Sequence, residues 1–249
     1  MDSFFNTFPP YQRDIPGVFQ LDIVRNNARF PSLATLILIN STGWTPVEYE
    51  QAKTFLSPPE LSYLANLQFP KRLHSYLTGR YAAKLALLAQ TGRRDPHEFW
   101  VDRSEFNAPI VRGPAQTNIS ISHTETWAAA LAFDCRSHMG LDIETTDRVI
   151  PDPFTRTISG RELELCQNCI AIDNTNQNSY LWTVKESISK AINTGLTVPF
   201  HIFEISQILV QNPGIYARFK NFSQYGCHST AFDTIWISVS TSIHRQITQ

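Results

Sequence analysis

The 249 residues include 21 Lys or Arg against 22 Asp or Glu, a net charge of −1, and 42% of them are hydrophobic. That balance allows a buried core and excludes a general affinity for nucleic acid or for an anionic membrane surface. The opening MDSFFNTFPP lacks the basic start of a leader, and the longest apolar run, Trp127 to Phe133, is far below the ~18 residues of a spanning helix. A cytoplasmic protein with no membrane or nucleic-acid partner is the expectation.

Residues 1 to about 32, with Pro9, Pro10, Pro16 and Pro31, read as an irregular arm. LILIN (Leu36 to Asn40) reads as a buried strand. TPVEYEQAKTFL follows as a helix, with Thr45 as N-cap and Pro46 at its first position. After SPPELSYLANL, the run SYLTGRYAAKLALLAQTG is strongly helical and stops at Gly92. ISIS (Ile119 to Ser122) and WAAALAF are the next two strands.

The second half repeats the plan. GLDIE reads as a strand, ISGRELELCQNCIAI and SYLWTVKESISKAINTG as helices, and FEISQIL and TIWISVS as closing strands. Ser57, Glu60 and Leu61 recur as Ser159, Glu162 and Leu163, and Ser75-Tyr76-Leu77 recurs as Ser179-Tyr180-Leu181, at offsets of 102 to 104 residues. The fold class expected is α/β (α+β). Two similar subdomains, 1–134 and 135–249, would be related by a pseudo-twofold with the active site in the cleft between them.

Cysteine chemistry contributes little. Cys166 and Cys169 form one CxxC with no partner pair, and Cys135 and Cys227 are isolated. Leu163, Cys166 and Ile170 share helical spacing, so core packing is the better account.

Three places carry chemistry. On a strand, Asp142 and Glu144 point to one face while Leu141 and Ile143 point to the other. On a helix, Trp182, Glu186 and Lys190 share one stripe. If face and stripe meet, each like-charge pair at ~4 Å costs on the order of 4 kcal/mol at an effective dielectric near 20. A hard divalent cation with oxygen ligands, magnesium above all, removes that cost. In NISISHTETW, Ser122 and His123 end a strand, where a histidine can donate to a phosphate.

The ordered set SISH, GLDIE and W-x-x-K-E-x-x-x-K resembles the 4′-phosphopantetheinyl transferases of the Sfp type, from about Ser57 to Ile208. The resemblance implies coenzyme A as co-substrate and magnesium in the cleft. It also implies transfer of phosphopantetheine to a serine of an apo acyl or peptidyl carrier protein, with adenosine 3′,5′-bisphosphate released. By motif, Asp142, Glu144 and Glu186 resemble the metal ligands, and Glu186 the group that takes the serine proton. Lys190 corresponds to a pyrophosphate contact. Lys185 is expected on phosphate or the pantetheine arm, and Trp182 in packing. Ser122, His123 and Arg80 match adenosine-phosphate and cofactor contacts. Two departures stand out: Glu60 and Tyr63 replace early helix lysines of some members, and Asn107-Ala108-Pro109 replaces Gly-Lys-Pro. Lys71 and Arg72 are the basic residues expected to compensate.

A doubled chain implies a monomer. The carrier would dock on Thr145 to Ser159, steered by Arg148, Arg156 and Arg161. Two other readings remain open. One is a metal-dependent phosphoesterase or nuclease; the other is a non-catalytic carrier-binding module derived from the family, which would usually have lost a metal carboxylate or the lysine, and both are intact here.

Overall fold

Two antiparallel sheets with their helices lie on either side, in sequence, of a boundary between Arg136 and Ser137. The computed structural model describes residues 15–25, 32–104, 108–169, 174–211 and 213–243.

The first unit contains β1 (Val18–Arg25), β2 (Ser32–Asn40), β5 (Thr117–His123) and β6 (Trp127–Asp134), in sheet order β1-β2-β6-β5. Strand β1 corrects the expectation of an irregular arm. Flanking prolines suggested irregular chain, yet VFQLDIVR pairs with β2 along its full length and buries Val18, Leu21 and Ile23. The rest of the arm, residues 1–14 and 26–31, lies outside the described residues. Helices α1 (Pro46–Lys53) and α2 (Pro58–Ala65) lead to α3 (Pro70–Thr91). Thr45 caps α1 as expected, its hydroxyl accepting from the Val47 N–H. Helix α3 starts at Pro70, ahead of the expected Ser75, because a proline at the first position forfeits no hydrogen bond. It ends where Gly92 turns left-handed at φ 69°. A ribbon not anticipated from the sequence, β3 (Trp100–Arg103) with β4 (Pro109–Arg112), follows; Asn107 lies outside the described residues.

The second unit orders its strands β7-β11-β10-β9-β8. These are β7 (Met139–Thr145), β8 (Ile205–Val210), β9 (Ile215–Phe219), β10 (Tyr225–Phe232) and β11 (Ile235–Ser242). Three helices accompany them: α4 (Asp152–Thr155), α5 (Gly160–Cys169) and α6 (Asn174–Ala191). The expected extension of α5 to Ile172 falls outside the described residues. Cys166 is fully buried in the core of this unit, where burial pushes its thiol up to about 12.

The seam between α6 and its sheet is polar. Thr183 meets Ser238 at 2.9 Å, Ser238 meets Ser229 at 2.8 Å, and Ser187 meets Ser240 at 2.7 Å, all buried. Gly140 of β7 completes it. A Cβ there would overlap the Ser187 carbonyl oxygen and the Ala191 backbone nitrogen, so only glycine lets α6 lie this close to β7.

Candidate active site

Strand β7 is an edge strand of its sheet, paired on one side with β11 and packed under α6. Alternation puts Asp142 and Glu144 on one face, and both are at least nine-tenths buried. The close approach at Gly140 brings the α6 stripe onto that face. Lys190 Nζ reaches Asp142 Oδ1 at 2.7 Å. Glu186, one helical turn before Lys190, is 9% exposed. Burial pushes its carboxyl up to about 7, the charge of Asp142 pushes the same way, and Lys190 and Arg148 oppose them. Glu144 forms an ion pair with Arg148. That guanidinium also lies 5.4 Å from the Trp182 ring centroid.

The stripe and the acidic strand therefore occupy one locality, the condition that their spacing alone left open. Lys190 and Arg148 take the oxygens that a metal would use, and the described residues contain no group of three His, Cys, Asp or Glu side chains set to hold an ion as they stand. The chemistry of the donor set still fits a hard divalent cation. Three buried carboxylates supply only oxygen ligands, the donor type that such a cation takes.

Trp182 packs as expected. It stacks on Phe200 at 5.4 Å, meets Phe154 edge-on at 4.6 Å, and lines an open cavity of about 450 Å³ with Phe154, Pro199 and Phe200.

Lys185 is a correction. It is fully buried, with Nζ 2.9 Å from Glu162 Oε1, 3.2 Å from Oε2 and 3.4 Å from the Thr157 carbonyl oxygen. Those acceptors use all its donors, so it does not reach for phosphate or the pantetheine arm. The missed signal was Glu162, one helix upstream. Its carboxylate also accepts from the backbone N–H groups of Ser159 and Ile205 at 2.9 and 3.0 Å.

The first unit holds Arg80, Ser122 and His123. Ser122 is buried near the end of β5, and His123, the last residue of that strand, is exposed. Arg80 is 7% exposed, and its Nε has no hydrogen-bond partner among the described residues. The guanidinium lies 4.7 Å from the Tyr76 ring centroid, and Nε is 3.9 Å from Glu60 Oε1. Glu60 pairs with Lys84 at 2.8 Å. Tyr63 carries Arg103 over its ring at 4.9 Å. Lys71 is exposed and faces Glu125 at 3.7 Å.

Residues 138–240 match the family model of the 4′-phosphopantetheinyl transferase superfamily, a span that includes β7, α6, Asp142, Glu144 and Glu186. The chain is 25% identical over 161 residues to the 4′-phosphopantetheinyl transferase Sfp of Bacillus subtilis (strain 168), covering 64% of this chain and 69% of that protein. These matches support a 4′-phosphopantetheinyl transferase of the Sfp type. Among solved structures, a holo-(acyl-carrier-protein) synthase from Bacillus anthracis str. Ames, in complex with CoA (3′,5′-ADP), is 22% identical. That likeness covers 40% of this chain and 92% of the other at a TM-score of 0.35.

Proposed function

We propose that the protein transfers the 4′-phosphopantetheine group of coenzyme A to a serine hydroxyl of an apo acyl or peptidyl carrier protein. The reaction is magnesium-dependent and releases adenosine 3′,5′-bisphosphate. One observation carries the reading: the 2.7 Å contact of Lys190 with Asp142, which sets the α6 stripe on the acidic face of β7 within the span matching the superfamily.

Asp142, Glu144 and Glu186 are the residues to hold magnesium, which when bound supplies neutralising charge for a diphosphate. Glu186, poised to change protonation near neutrality, takes the proton of the carrier serine directly or through water. The serine oxygen then bonds to the phosphorus nearer the pantetheine, and the bond from that phosphorus to the bridging oxygen breaks. The electron pair departs with the bisphosphate, and the Lys190 ammonium balances its charge. Arg80, Ser122 and His123 contact the adenosine and phosphate end of coenzyme A. The buried Arg80 Nε, still short of a hydrogen-bond acceptor, supports that role.

The carrier docks on Thr145 to Ser159, where Val149 and Arg156 are exposed. The chain works as a monomer in the cytoplasm. Among the described residues no helix is long and apolar enough to cross a membrane. The phosphoesterase and binding-module readings are not favoured, since both sequence matches are to transferases.

The test is a transfer assay with coenzyme A, magnesium and several apo carriers, read by mass spectrometry. A gain of one phosphopantetheine on a carrier, lost with a chelator, is expected. A chain that binds carriers and modifies none would hand the argument to the binding module.

A further inference from the structure

Lys185 stands next to Glu186 in the sequence and ~100° away around α6, turned from the acidic strand. Its ammonium and the Glu162 carboxylate join four segments. These are α6 through Lys185, the start of α5 through Glu162 and Ser159, the first residue of β8 through the Ile205 N–H, and the Thr157 carbonyl oxygen. Both side chains are 0–1% exposed and every bond is directional. Such a clamp fixes how far a helix can turn about its axis, which apolar packing alone does poorly. The leverage is large: a carboxylate ~6 Å from the helix axis moves ~2 Å for a turn of ~20°. A misplacement of ~1 Å can cost about 100-fold in rate.

Resting on the transfer reaction proposed above, we infer that Lys185 and Glu162 are positioning residues. They hold α6 at the rotation that aims Glu186 and Lys190 at Asp142, and neither touches substrate.

The molecule supplies its own control. In the first unit Glu60 takes the N–H groups of Ser57 and Val101 at 2.9 Å each and pairs with Lys84 at 2.8 Å, both side chains buried. Leu85, the residue after Lys84, carries no chemistry.

Lys185→Met, the charge-free double variant Glu162→Gln/Lys185→Met and Lys84→Met are compared with the wild type. Each is measured for kcat, KM for coenzyme A, calorimetric Kd for coenzyme A and thermal midpoint. Lys185→Met is expected to lower kcat roughly 100-fold with Kd changed less than about twofold. Lys84→Met, with a similar fall in midpoint, is expected to keep kcat within about fivefold of wild type. If Lys185→Met alone does not fold, the double variant carries the same comparison, because it leaves no unpaired buried charge. A Kd weakened about tenfold or more with kcat unchanged would make Lys185 a ligand contact and overturn the inference. Equal kcat losses from the two lysine variants would reduce the clamp to ordinary stability. A wild type that neither binds coenzyme A nor modifies a carrier would fail the reaction itself, not the clamp alone.

Discussion

Glu60 with Lys84 and Glu162 with Lys185 are the same device built twice. In each, a glutamate three residues into a helix reaches back to a serine N–H, accepts a strand N–H and meets a buried lysine from the longest helix of its unit. The helices diverge immediately afterwards. Following Lys84, α3 has Leu85 and, four residues further, Ala89; following Lys185, α6 has Glu186 and Lys190. The device therefore belongs to the scaffold, and the residues proposed to carry the chemistry, Glu186 and Lys190, stand on only one of its helices. A conserved-looking ion pair is then evidence of architecture, and the residues beside it are where activity is to be sought.

Four experiments would break or sharpen this contrast. Glu186→Gln should have the largest effect, a fall in transfer of about 10²–10⁴-fold at an unchanged thermal midpoint; near-normal rates would remove Glu186 from the chemistry. In the other unit, Lys84→Met leaves Glu60 buried and partly unpaired, so a stability loss of about 3–5 kcal/mol in denaturant titration is expected. If the loss were under about 1 kcal/mol, the pair would not be a scaffold element.

Next, Gly140→Ala drives a methyl group into the α6 backbone, with an expected destabilisation of about 1–3 kcal/mol and a drop in kcat larger than that in carrier binding. Gly160→Ala, where the added carbon meets nothing within 4 Å, is the matched control and should be silent in both readouts.

The smallest effect concerns His74 in the first unit. Its Nδ1 accepts from the Tyr49 hydroxyl at 2.8 Å, and its Nε2 lies 3.1 Å from Ser41 Oγ. Ser41 already donates to the Thr126 carbonyl oxygen, so the Nε2–H tautomer must donate to it. Burial lowers the His74 pKa, while Glu125 pulls the other way. The unfolded chain therefore takes the proton more readily than the folded one. The stability this provides is complete above the unfolded value of about 6.5 and is lost as pH falls through the lower folded value. His74→Gln should flatten that part of the pH–stability curve; an unchanged slope would show that another group sets it.

Much of the second unit was legible because its signals are local. The alternation in GLDIE and the four-residue spacing of Trp182, Glu186 and Lys190 each place side chains on one face without reference to anything distant. What could not be read depends on partners far along the chain. Lys185 looks like a phosphate ligand until Glu162 is seen 23 residues upstream. Arg148 looks like a steering charge until it is found on Glu144. Strand β1 was hidden by prolines that flank it and do not interrupt its pairing. Strand β10 is built largely of small and polar residues, Gly226, Cys227, Ser229 and Thr230 among them, a pattern with little hydrophobic contrast to detect.

The hydroxyl seam under α6 has a practical consequence for anyone engineering a hardier variant. Replacing Ser187, Ser229 or Ser240 with larger aliphatic residues follows ordinary recipes for thermostability, and some such proteins would melt later. They would also push the helix outward and remove its directional anchors, so a screen on heat tolerance alone would collect durable proteins that no longer work.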